Sequence, residues 1–431
     1  ADYYFGDEMN DAPFSHYPTE KWFKNVNDKQ LPSGILDQYT TKIYNPNSEL
    51  KFEHLIDTNS SNKTRGICAL PFIRQSDKKK VYFPVNIIGN LYVSNGMSAG
   101  NSKYEARVQC LSEIFERAVK NKIILDEISL PDIPEEILKN YTTIYEGITA
   151  LRKKGFPLVI KDASLGGIFP VLCITLLNPE TGGAFCSFGA HPNFEIALER
   201  CLTELLQGRS FEGLNEMPPP SFNYQSVSEP NNIIDHFIDS TGVVSWKFFR
   251  KDSNYTFCHW NFSGSTQDEF NYLMSIFQKI NKEVYISDLD ELGCYACRII
   301  VPGYSEIYPV DDLIWDNNNK GNYLREKILN IHHLSDEELK SILLYFEEEQ
   351  YDDFMPISEL IGVSFDENSS WGELTVIELK ALINLALKEI ETSKECIDLF
   401  FTFNDANGLR NKLYRIISIL IQINIETNDS I

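Results

Sequence analysis

The sequence lacks a long hydrophobic run. Its longest apolar stretch, LYRIISILIQINI at residues 413–425, is interrupted by Arg415, Ser418 and Gln422. A helix that spans a bilayer needs about 20 consecutive, predominantly apolar residues. The sequence therefore predicts a protein without a membrane-spanning helix.

Basic residues are also scarce. Lys and Arg together number 39 against 62 Asp and Glu, which gives a formal net charge of −23. Binding to a phosphate backbone relies on clustered basic side chains that displace counterions, and an acidic protein is repelled by anionic lipid surfaces. We therefore expect no direct contact with nucleic acid or membrane. A bound nucleotide would need metal ions to offset the like charge.

Paired cysteine motifs are nearly absent. The chain has nine cysteines, and its one C-x-x-C motif, Cys294 and Cys297, has no second copy to complete a zinc site. That motif lies in a predicted strand, where positions three apart face opposite ways. Most other cysteines lie within apolar runs, such as Cys173 in VLCITLL and Cys201 in RCLTELL. The pattern is typical of reduced, buried thiols and predicts a cytoplasmic protein.

Apolar residues, by contrast, are abundant enough for a large core, at 43% of the chain with 27 Phe and 21 Tyr. Up to about residue 332, strand-like segments such as VYFPVNIIGNLYVSN and VVSWKFF alternate with helix-patterned ones, so the predicted class is α+β. Beyond it the regular segments are helix-patterned, and Ser335 before three acidic residues marks a helix start. We predict two domains, residues 1–332 and an all-helical 333–431. Tetratricopeptide-like helix pairs would fit the second, although no specific repeat signature is present.

The segment SNGMSAGNSKYEARVQCLSEIFERAVKN at residues 94–121 carries a polar stripe on a predicted helix. At about 100° per residue, one narrow face of this helix collects acids and amides: Asn101, Glu105, Gln109, Ser112, Glu113 and Glu116. One interpretation is a solvated surface helix with ordinary i,i+4 ion pairs. The other is a metal site, because hard cations prefer carboxylate oxygens and bring a nucleotide's phosphates with them.

A similar pattern occurs 91 residues downstream, where residues 98–116 align with residues 189–207. The aligned identities are Ala99 with Ala190, Ala106 with Ala197, Cys110 with Cys201, Leu111 with Leu202, and Glu113 with Glu204. The second helix is expected to begin at Pro192, a residue suited to a first helical turn. Two hairpin-plus-helix units would pack their apolar faces on one sheet system. Their equivalent glutamates would then face a shared cleft.

These residues resemble the motifs of the YcaO family. The pattern SxxNxxxExxxQxxSExxER matches Ser98, Asn101, Glu105, Gln109, Ser112, Glu113, Glu116 and Arg117, and the pattern RxxxE matches Arg200 and Glu204. The stretches RIIVPG (298–303) and DASLGG (162–167) are also similar to family segments. The resemblance covers most of residues 1–332 and, more loosely, the helical region. It is closest to the enterobacterial branch associated with methylthiolation of a small-subunit ribosomal protein.

The resemblance implies an ATP-binding core of repeated hairpin-plus-helix units around mixed sheets, followed by an all-helical domain. This core is unlike the P-loop type, and the chain contains no G-x-x-x-x-G-K-[ST] motif. The implied cofactors are ATP and Mg²⁺. The implied metal ligands are Glu113, Glu116 and Glu204. The residues implied to contact the nucleotide or its metal-bound waters are Ser98, Asn101, Glu105, Gln109, Arg117 and Arg200. No residue is assigned as catalytic.

The family reaction is the ATP-dependent activation of a peptide amide, in which a nucleophile adds to the carbonyl and the amide oxygen is phosphorylated. Phosphorylation makes that oxygen a good leaving group, and the transfer needs mainly positioning and charge neutralisation. The alternative is an accessory or scaffold protein that binds a modification enzyme or ribosomal protein, with ATP regulatory or vestigial. Expected partners are ATP, a peptide or protein substrate, a methylthiotransferase and a small-subunit ribosomal protein. A homodimer is left open.

Two departures from the family pattern lead to further expectations. The family carries an earlier S-x-x-x-E-x-x-E motif, which does not precede the first matched helix here, and the start ADYYFGDE resembles sequence just downstream of it. We therefore expect an N-terminally truncated fragment that binds Mg-ATP weakly or not at all. Azoline-forming members end in a Pro-rich tail, whereas this chain ends IETNDSI, which favours the non-azoline branch.

Overall fold

The computed structural model of the chain describes residues 19–24, 31–56, 65–208, 210–290, 293–313, 322–363, 365, 369, 371–403 and 409–428. The chain divides into two compact units. The first, here called the mixed unit, comprises Leu31–Lys51 and Ala69–Trp315, and the second, the helical unit, comprises Ala1–Gln30, Phe52–Cys68 and Asp316–Ile431. Strands and helices together confirm the α+β class. The division at residue 332 stays a prediction.

The strands of the described residues are β1 (Lys21–Phe23), β2 (Ile67–Arg74), β3 (Lys80–Pro84), β4 (Met97–Gly100), β5 (Leu158–Asp162), β6 (Val171–Leu177), β7 (Ala184–Ala190), β8 (Tyr285–Leu289) and β9 (Tyr295–Ile300). In the mixed unit, β3, β2, β8, β9 and β4 follow one another in this order, and each neighbouring pair is antiparallel. A second sheet runs in the order β5-β6-β7, also antiparallel. In the first sheet Met97 lies opposite Arg298, so β4 is held by a strand far along the chain.

The helices are α1 (Gln38–Tyr44), α2 (Val85–Ile87), α3 (Lys103–Leu125), α4 (Glu135–Leu138), α5 (Thr142–Lys153), α6 (Phe194–Thr203), α7 (Tyr224–Ser228), α8 (Pro230–Ile238), α9 (Thr266–Lys279), α10 (Asn322–Leu329), α11 (Asp336–Glu348), α12 (Ile357–Ile361), α13 (Val376–Ala386), α14 (Ile390–Phe403) and α15 (Leu409–Asn428). Of these helices, all within the described residues, the first nine belong to the mixed unit. The last six belong to the helical unit.

The three-stranded sheet is covered on both faces. Along β6, Val171 and Cys173 belong to the hydrophobic core that α3 fills, whereas Leu172 and Ile174 belong to the core that α5 and α6 fill. Successive side chains of a strand point to opposite faces, so a strand between two helical layers is apolar at every position. This explains why VLCITLL shows a continuous apolar run. The sheet thereby places α3 on one side and α6 on the other.

Gly189 of β7 sets how closely α6 approaches the sheet. A Cβ built on Gly189 would lie 2.5 Å from the Ala197 carbonyl oxygen and 2.8 Å from the Cys201 nitrogen. Both are backbone atoms of α6, so the helix would have to move. Only glycine permits this contact.

We expect Gly189→Ala to lower the free energy of unfolding by about 1–3 kcal/mol, the usual cost of an overpacked contact. The matched control is Gly89→Ala, where an added Cβ has no neighbour within 4 Å. Urea unfolding of both variants measures the difference. Equal stability of the two would contradict the close approach of α6 to β7.

The helical unit begins its helices with good capping signals. Ser335 accepts a hydrogen bond from Glu338 N–H while the Glu338 side chain bonds Ser335, so α11 starts where the sequence predicted. Thr375 and Glu378 form the same capping box at the start of α13. No helix among the described residues is long and apolar enough to cross a membrane.

The structure corrects two segment predictions and adds one helix that was not predicted. The segment VNIIGNLY, expected as strand, forms α2 and a π-helical turn over Ile88–Tyr92. The segment VVSWKFF, also expected as strand, contains a 3₁₀ turn over Trp246–Phe249. Short apolar runs do not distinguish strand from buried helix by periodicity. The helix α14 was not predicted from the sequence.

Candidate functional site

The first candidate element is α3, which begins slightly later than predicted. Ser102 is its N-cap and accepts a hydrogen bond from Glu105 N–H at 3.2 Å. The apolar side of α3 is anchored in the core by Phe115, which is fully buried and stacks on Phe277 with ring centroids 4.3 Å apart. Its opposite side carries the polar stripe into a pocket.

The second element is α6, and its start differs from the prediction. Asn193 is the N-cap and accepts hydrogen bonds from Glu195 and Ile196 N–H at 2.9 and 3.3 Å, so the helix begins at Phe194 and Pro192 lies outside it. An Asx N-cap defines a helix start more strongly than a nearby proline does. The helix ends at Thr203, which leaves Glu204 at the C-cap.

The two helices meet at equivalent positions. Arg200 Nη1 donates to Gln109 Oε1 at 2.5 Å, and these residues are 91 positions apart, the same offset that relates the two sequence segments. Glu113 and Glu204 follow one turn later on their respective helices. The repeat seen in the sequence is therefore also a relation in space, in which equivalent side chains of α3 and α6 meet although the two helices cover opposite faces of the three-stranded sheet.

A polar pocket of about 290 Å³ lies between these helix faces. Its walls combine residues of α3, α6, β7 and the end of α8: Gln109, Glu113, Glu116, Arg117, Lys120, Asn121, Ser187, Phe188, Arg200, Glu204, His236, Phe237 and Ser240. Six of the nine predicted site residues are among them. The shared cleft expected from the repeat is thus present in the mixed unit.

The other three predicted site residues lie at the N-terminal end of the same stripe, outside the pocket walls. Asn101 donates from its backbone N–H and its side-chain amide to Glu105 carboxylate oxygens at 3.0 and 3.2 Å. Ser98 Oγ lies 3.4 Å from the Ala99 carbonyl oxygen. Here Glu105 caps the start of α3. The nucleotide roles implied for these three residues remain predictions.

Arginine side chains hold two of the three glutamates. Arg117 forms an ion pair with Glu113 and donates to Asn95 Oδ1 at 3.0 Å, and its guanidinium lies 4.6 Å from the centroid of the Phe237 ring. Arg200 lies 3.6 Å from Glu204. The planar guanidinium fork of each suits carboxylate or phosphate oxygens, so both can transfer their hydrogen bonds to an entering anion.

Glu116 lies deeper and has no such partner. Its Oε2 is buried without a hydrogen bond, and burial, followed by repulsion from Glu204, raises the pKa of Glu116 to about 8. Burial also raises the pKa of Glu113, against the opposing effect of Arg117 and Arg200. Both shifts have burial as their main cause, because removal from water disfavours the charged carboxylate.

This donor set fits a hard divalent cation. Carboxylate oxygens are the ligands Mg²⁺ prefers, and the ion commonly retains waters or phosphate oxygens in the rest of its shell. The glutamates do not form a ready-made ligand cage, since in the part of the chain described no group of three His, Cys, Asp or Glu residues is arranged to hold a metal. The orphan oxygen of Glu116 is the observation that favours an ion. The three ligand assignments remain predictions.

Sequence reasoning missed Lys120 as a wall residue. Its ammonium is buried and donates to the His236 carbonyl oxygen at 2.5 Å and to Ser240 Oγ at 2.9 Å. An ammonium has three N–H donors, so one remains for a ligand. Lys120 lies one turn beyond Glu116, and extending the stripe by four residues would have found it. His236, Phe237 and Ser240 had no comparable sequence signal, because only tertiary packing brings them here.

Two histidines near the pocket are held neutral. Burial, with the nearby charge of Lys120, lowers the pKa of His236 to about 3, and burial, with the charge of Arg200, lowers the pKa of His191 to about 4. An unfolded histidine titrates near about 6.5. At pH values between the folded and the unfolded pKa of each histidine, the unfolded chain binds a proton that the folded chain does not. The free energy of unfolding therefore falls as the pH falls through this window.

We expect the free energy of unfolding to fall by up to about 1.4 kcal/mol per pH unit for each of the two histidines as the pH is lowered. Replacing His236 with Gln should make the dependence shallower between about pH 6.5 and pH 5, above the range where most carboxylates titrate. Urea unfolding at several pH values measures the slope. The exposed His332, changed to Gln, serves as control. A slope unchanged in His236→Gln would contradict its buried neutral state.

The cysteines agree with the sequence prediction of unpaired thiols. All nine are free, and six of them are buried. In the C-x-x-C motif Cys294 is exposed and Cys297 is buried, because the two positions face opposite ways near the start of β9. The structure therefore gives this motif no metal-binding geometry.

Comparisons with known proteins add family evidence. A family model described as "YcaO cyclodehydratase, ATP-ad Mg2+-binding" matches residues 8–305, and one described as "YcaO cyclodehydratase C-terminal domain" matches residues 321–431. An uncharacterized protein of Haemophilus influenzae is 48% identical over 433 residues, which cover 99% of this chain and 74% of that protein. The "Ribosomal protein S12 methylthiotransferase accessory factor YcaO" of Escherichia coli is 48% identical over 425 residues, covering 98% of this chain and 72% of its own.

Solved structures are more distant. A heterocyclase in complex with substrate and cofactor is 15% identical with a TM-score of 0.40, covering 58% of this chain and 36% of its own. A YcaO from Methanopyrus kandleri bound with AMPPCP and Mg²⁺ is 17% identical with a TM-score of 0.39, covering 55% of this chain and 64% of its own. The chain spans less than two thirds of both.

Proposed function

The chain belongs to the YcaO family, and from that premise we propose that its polar pocket binds Mg-ATP and supports phosphoryl transfer to a peptide or protein amide oxygen. The observation that carries the proposal is the convergence of Glu113, Glu116 and Glu204 with Arg117 and Arg200 on one pocket. Carboxylates of this kind hold Mg²⁺, and guanidinium groups bind phosphate oxygens.

Glu113, Glu116 and Glu204 would hold a divalent cation, which would supply positive charge that neutralises phosphate oxygens. The chain's own residues would do the positioning. Arg117 and Arg200, released from Glu113 and Glu204, would each offer a planar pair of donors to phosphate. Lys120, fixed by His236 and Ser240, would add a point charge at the inner end of the pocket. Phosphoryl transfer needs this positioning and charge neutralisation more than a covalent step on the protein.

Glu113→Gln tests this proposal. We expect the substitution to weaken Mg-ATP binding at least ten-fold, because it removes a carboxylate while Arg117 stays free to contact phosphate. Isothermal titration calorimetry on the protein as it occurs naturally, with and without Mg²⁺, measures the affinity. An unchanged Kd, or binding that does not need Mg²⁺, would contradict the assignment of the pocket.

A second candidate function is that of an accessory protein, and one surface favours it. On α15 of the helical unit five large apolar side chains are between 52% and 60% exposed: Leu413, Ile416, Ile419, Leu420 and Ile423. An apolar stripe of this size on a helix is typical of an interaction surface. A methylthiotransferase and a small-subunit ribosomal protein are the partners we propose.

The two candidates predict different outcomes. Abundant ATP turnover with a peptide substrate and no partner would favour the enzyme. Co-purification of a partner that is lost when Ile416 and Ile423 are changed to Asp, with no ATP turnover, would favour the accessory role. Light scattering of the same samples reports whether the chain pairs with itself.

A further inference from the structure

A second groove of the mixed unit, with a volume of about 690 Å³, lies along the edge of β5. Its walls include Ile133, Leu138, Leu158, Ile160 and Trp246. None of its lining residues is shared with the polar pocket. We call it the β5 groove.

The edge of β5 is only half covered. Ile133 N–H donates to the Ile160 carbonyl oxygen at 3.0 Å, and Asp162 N–H donates to the Pro131 carbonyl oxygen at 2.9 Å. The covering segment then reaches Pro134, which has no N–H to donate, and turns into α4. The pairing therefore stops beside Ile160.

The remaining edge leaves main-chain groups of Leu158 without a strand partner beside the groove, which Leu158 lines although it is only 8% exposed. On the other side of β5, Leu177 N–H donates to the Pro157 carbonyl oxygen, and the pattern alternates along an antiparallel strand. The N–H and C=O of Leu158 therefore point away from β6. Among the described residues no hydrogen bond to these two groups is found. Open strand edges of this kind accept a further strand.

The groove also has a charge that contrasts with the rest of the chain. Four basic residues line it, Arg152, Lys161, Arg250 and Lys251, against two acidic ones, Asp132 and Glu135. Arg152 pairs with Glu135 and Lys161 with Asp132. Arg250 and Lys251 thus leave a positive wall on a chain whose net charge is −23. An acidic ligand is attracted to such a wall, whereas a basic one is not.

Aromatic side chains lie beside the positive wall. Trp246 lines the groove and is 41% exposed. Phe222, at 85% exposure, stacks on it with ring centroids 5.9 Å apart. Exposed aromatic anchors next to a polar rim are enriched in protein interfaces.

We propose that the β5 groove binds an extended, acidic peptide segment, which adds to the edge of β5 as a further strand. Main-chain hydrogen bonds to Leu158 would give affinity, and alternate side chains would give selectivity. Apolar side chains would contact Ile133 and Trp246. Acidic side chains would meet Arg250 and Lys251. A single-stranded nucleic acid is disfavoured, since strand addition needs a peptide backbone.

Synthetic peptides test the proposal. The probe is a fluorescein-labelled heptapeptide of alternating valine and glutamate, compared with a valine–lysine peptide and with a valine–glutamate peptide carrying a central proline. Fluorescence anisotropy measures binding to the full chain. We expect the acidic peptide to bind at least ten-fold more tightly than the other two. Hydrogen–deuterium exchange should show new protection at residues 157–160.

A second experiment reverses the charge of the two basic residues of the positive wall. Arg250→Glu with Lys251→Glu should weaken binding of the acidic peptide at least ten-fold, while the control pair Lys78→Glu with Lys79→Glu, exposed in the β2–β3 turn, should change it less than two-fold. Equal binding of the acidic and basic peptides, no binding at 1 mM, protection confined to other segments, or tighter binding of a labelled oligonucleotide would each overturn the proposal.

Discussion

Replacing Glu116 with Gln is expected to weaken Mg-ATP binding about a hundred-fold, or about 2.7 kcal/mol at about 1.4 kcal/mol per factor of ten, while making the ligand-free protein more stable. The two effects have one cause. Glu116 Oε2 is buried and has no hydrogen-bond partner. Because its pKa of about 8 lies above that of an ordinary glutamate, Glu116 must take up a proton when the chain folds without a cation at neutral pH, and this costs stability.

The substitution keeps the shape of the side chain and removes a group that must take up a proton on folding at neutral pH, because burial and repulsion from Glu204 raise its pKa to about 8. A neutral amide needs no such proton. We expect the ligand-free protein to gain about 1–3 kcal/mol at neutral pH, since one pKa unit of difference between folded and unfolded states corresponds to about 1.4 kcal/mol. The loss of affinity exceeds that expected for Glu113→Gln, because Glu113 has Arg117 as a second partner.

Thermal unfolding without ligand and calorimetry with Mg-ATP measure the two effects on the same sample. Glu199→Gln is the matched control, since Glu199 is an exposed residue of α6 next to Arg200. It should leave both quantities nearly unchanged. If Glu116→Gln lowered stability and left the Kd as it was, Glu116 would be a structural residue of the core and no ligand of a metal.

The second large effect concerns the helical unit, where Arg410→Met is expected to lower the free energy of unfolding by about 3–5 kcal/mol, the cost of breaking a buried pair on one side. Arg410 Nε donates to Glu378 Oε1 at 2.6 Å, and the Glu378 side chain is fully buried. Without Arg410 a buried carboxylate keeps its bonds from Thr375 at 2.9 and 2.7 Å and a hydrogen bond with the Tyr414 side chain, but no positive partner in the pair.

The double variant Arg410→Met with Glu378→Leu separates charge from packing. It should recover most of the lost stability, because two apolar side chains can replace a buried ion pair at little net cost. The lost capping box at Thr375 limits the recovery by about 1 kcal/mol.

The control is Arg415→Met, at an exposed position of α15, which should change stability by less than about 0.5 kcal/mol. A double variant less stable than Arg410→Met would contradict this account. Chemical unfolding of all three variants decides it.

Much of the candidate site was predictable because helix geometry is local. Once α3 is a helix, the spacing of Gln109, Glu113 and Glu116 puts them on one face whatever surrounds it. The repeat then indicated a second helix with Arg200 and Glu204 in matching places. The capping box at Ser335 was predictable for the same reason, since its hydrogen bonds join residues three apart.

Other features depended on contacts between distant segments. The pocket walls at His236, Phe237 and Ser240 come from α8 and the residues just after it, a segment that carries no motif. VVSWKFF has the composition of a strand, but its segment is held by a single bridge between Ser221 and Ser245 and turns into a 3₁₀ helix at Trp246. A strand needs a partner, and the sequence alone does not say whether one is available.

The sequence by itself determined the family, the α+β class, the polar stripe of α3 and its repeat on α6, since each rests on periodicity or on residues close together in the chain. The tertiary structure decided which stripe residues share a pocket, that Glu116 Oε2 has no hydrogen-bond partner among the described residues, and that the edge of β5 is left half open. Burial and pairing are properties of packing between distant segments, so they exist only once the chain has folded.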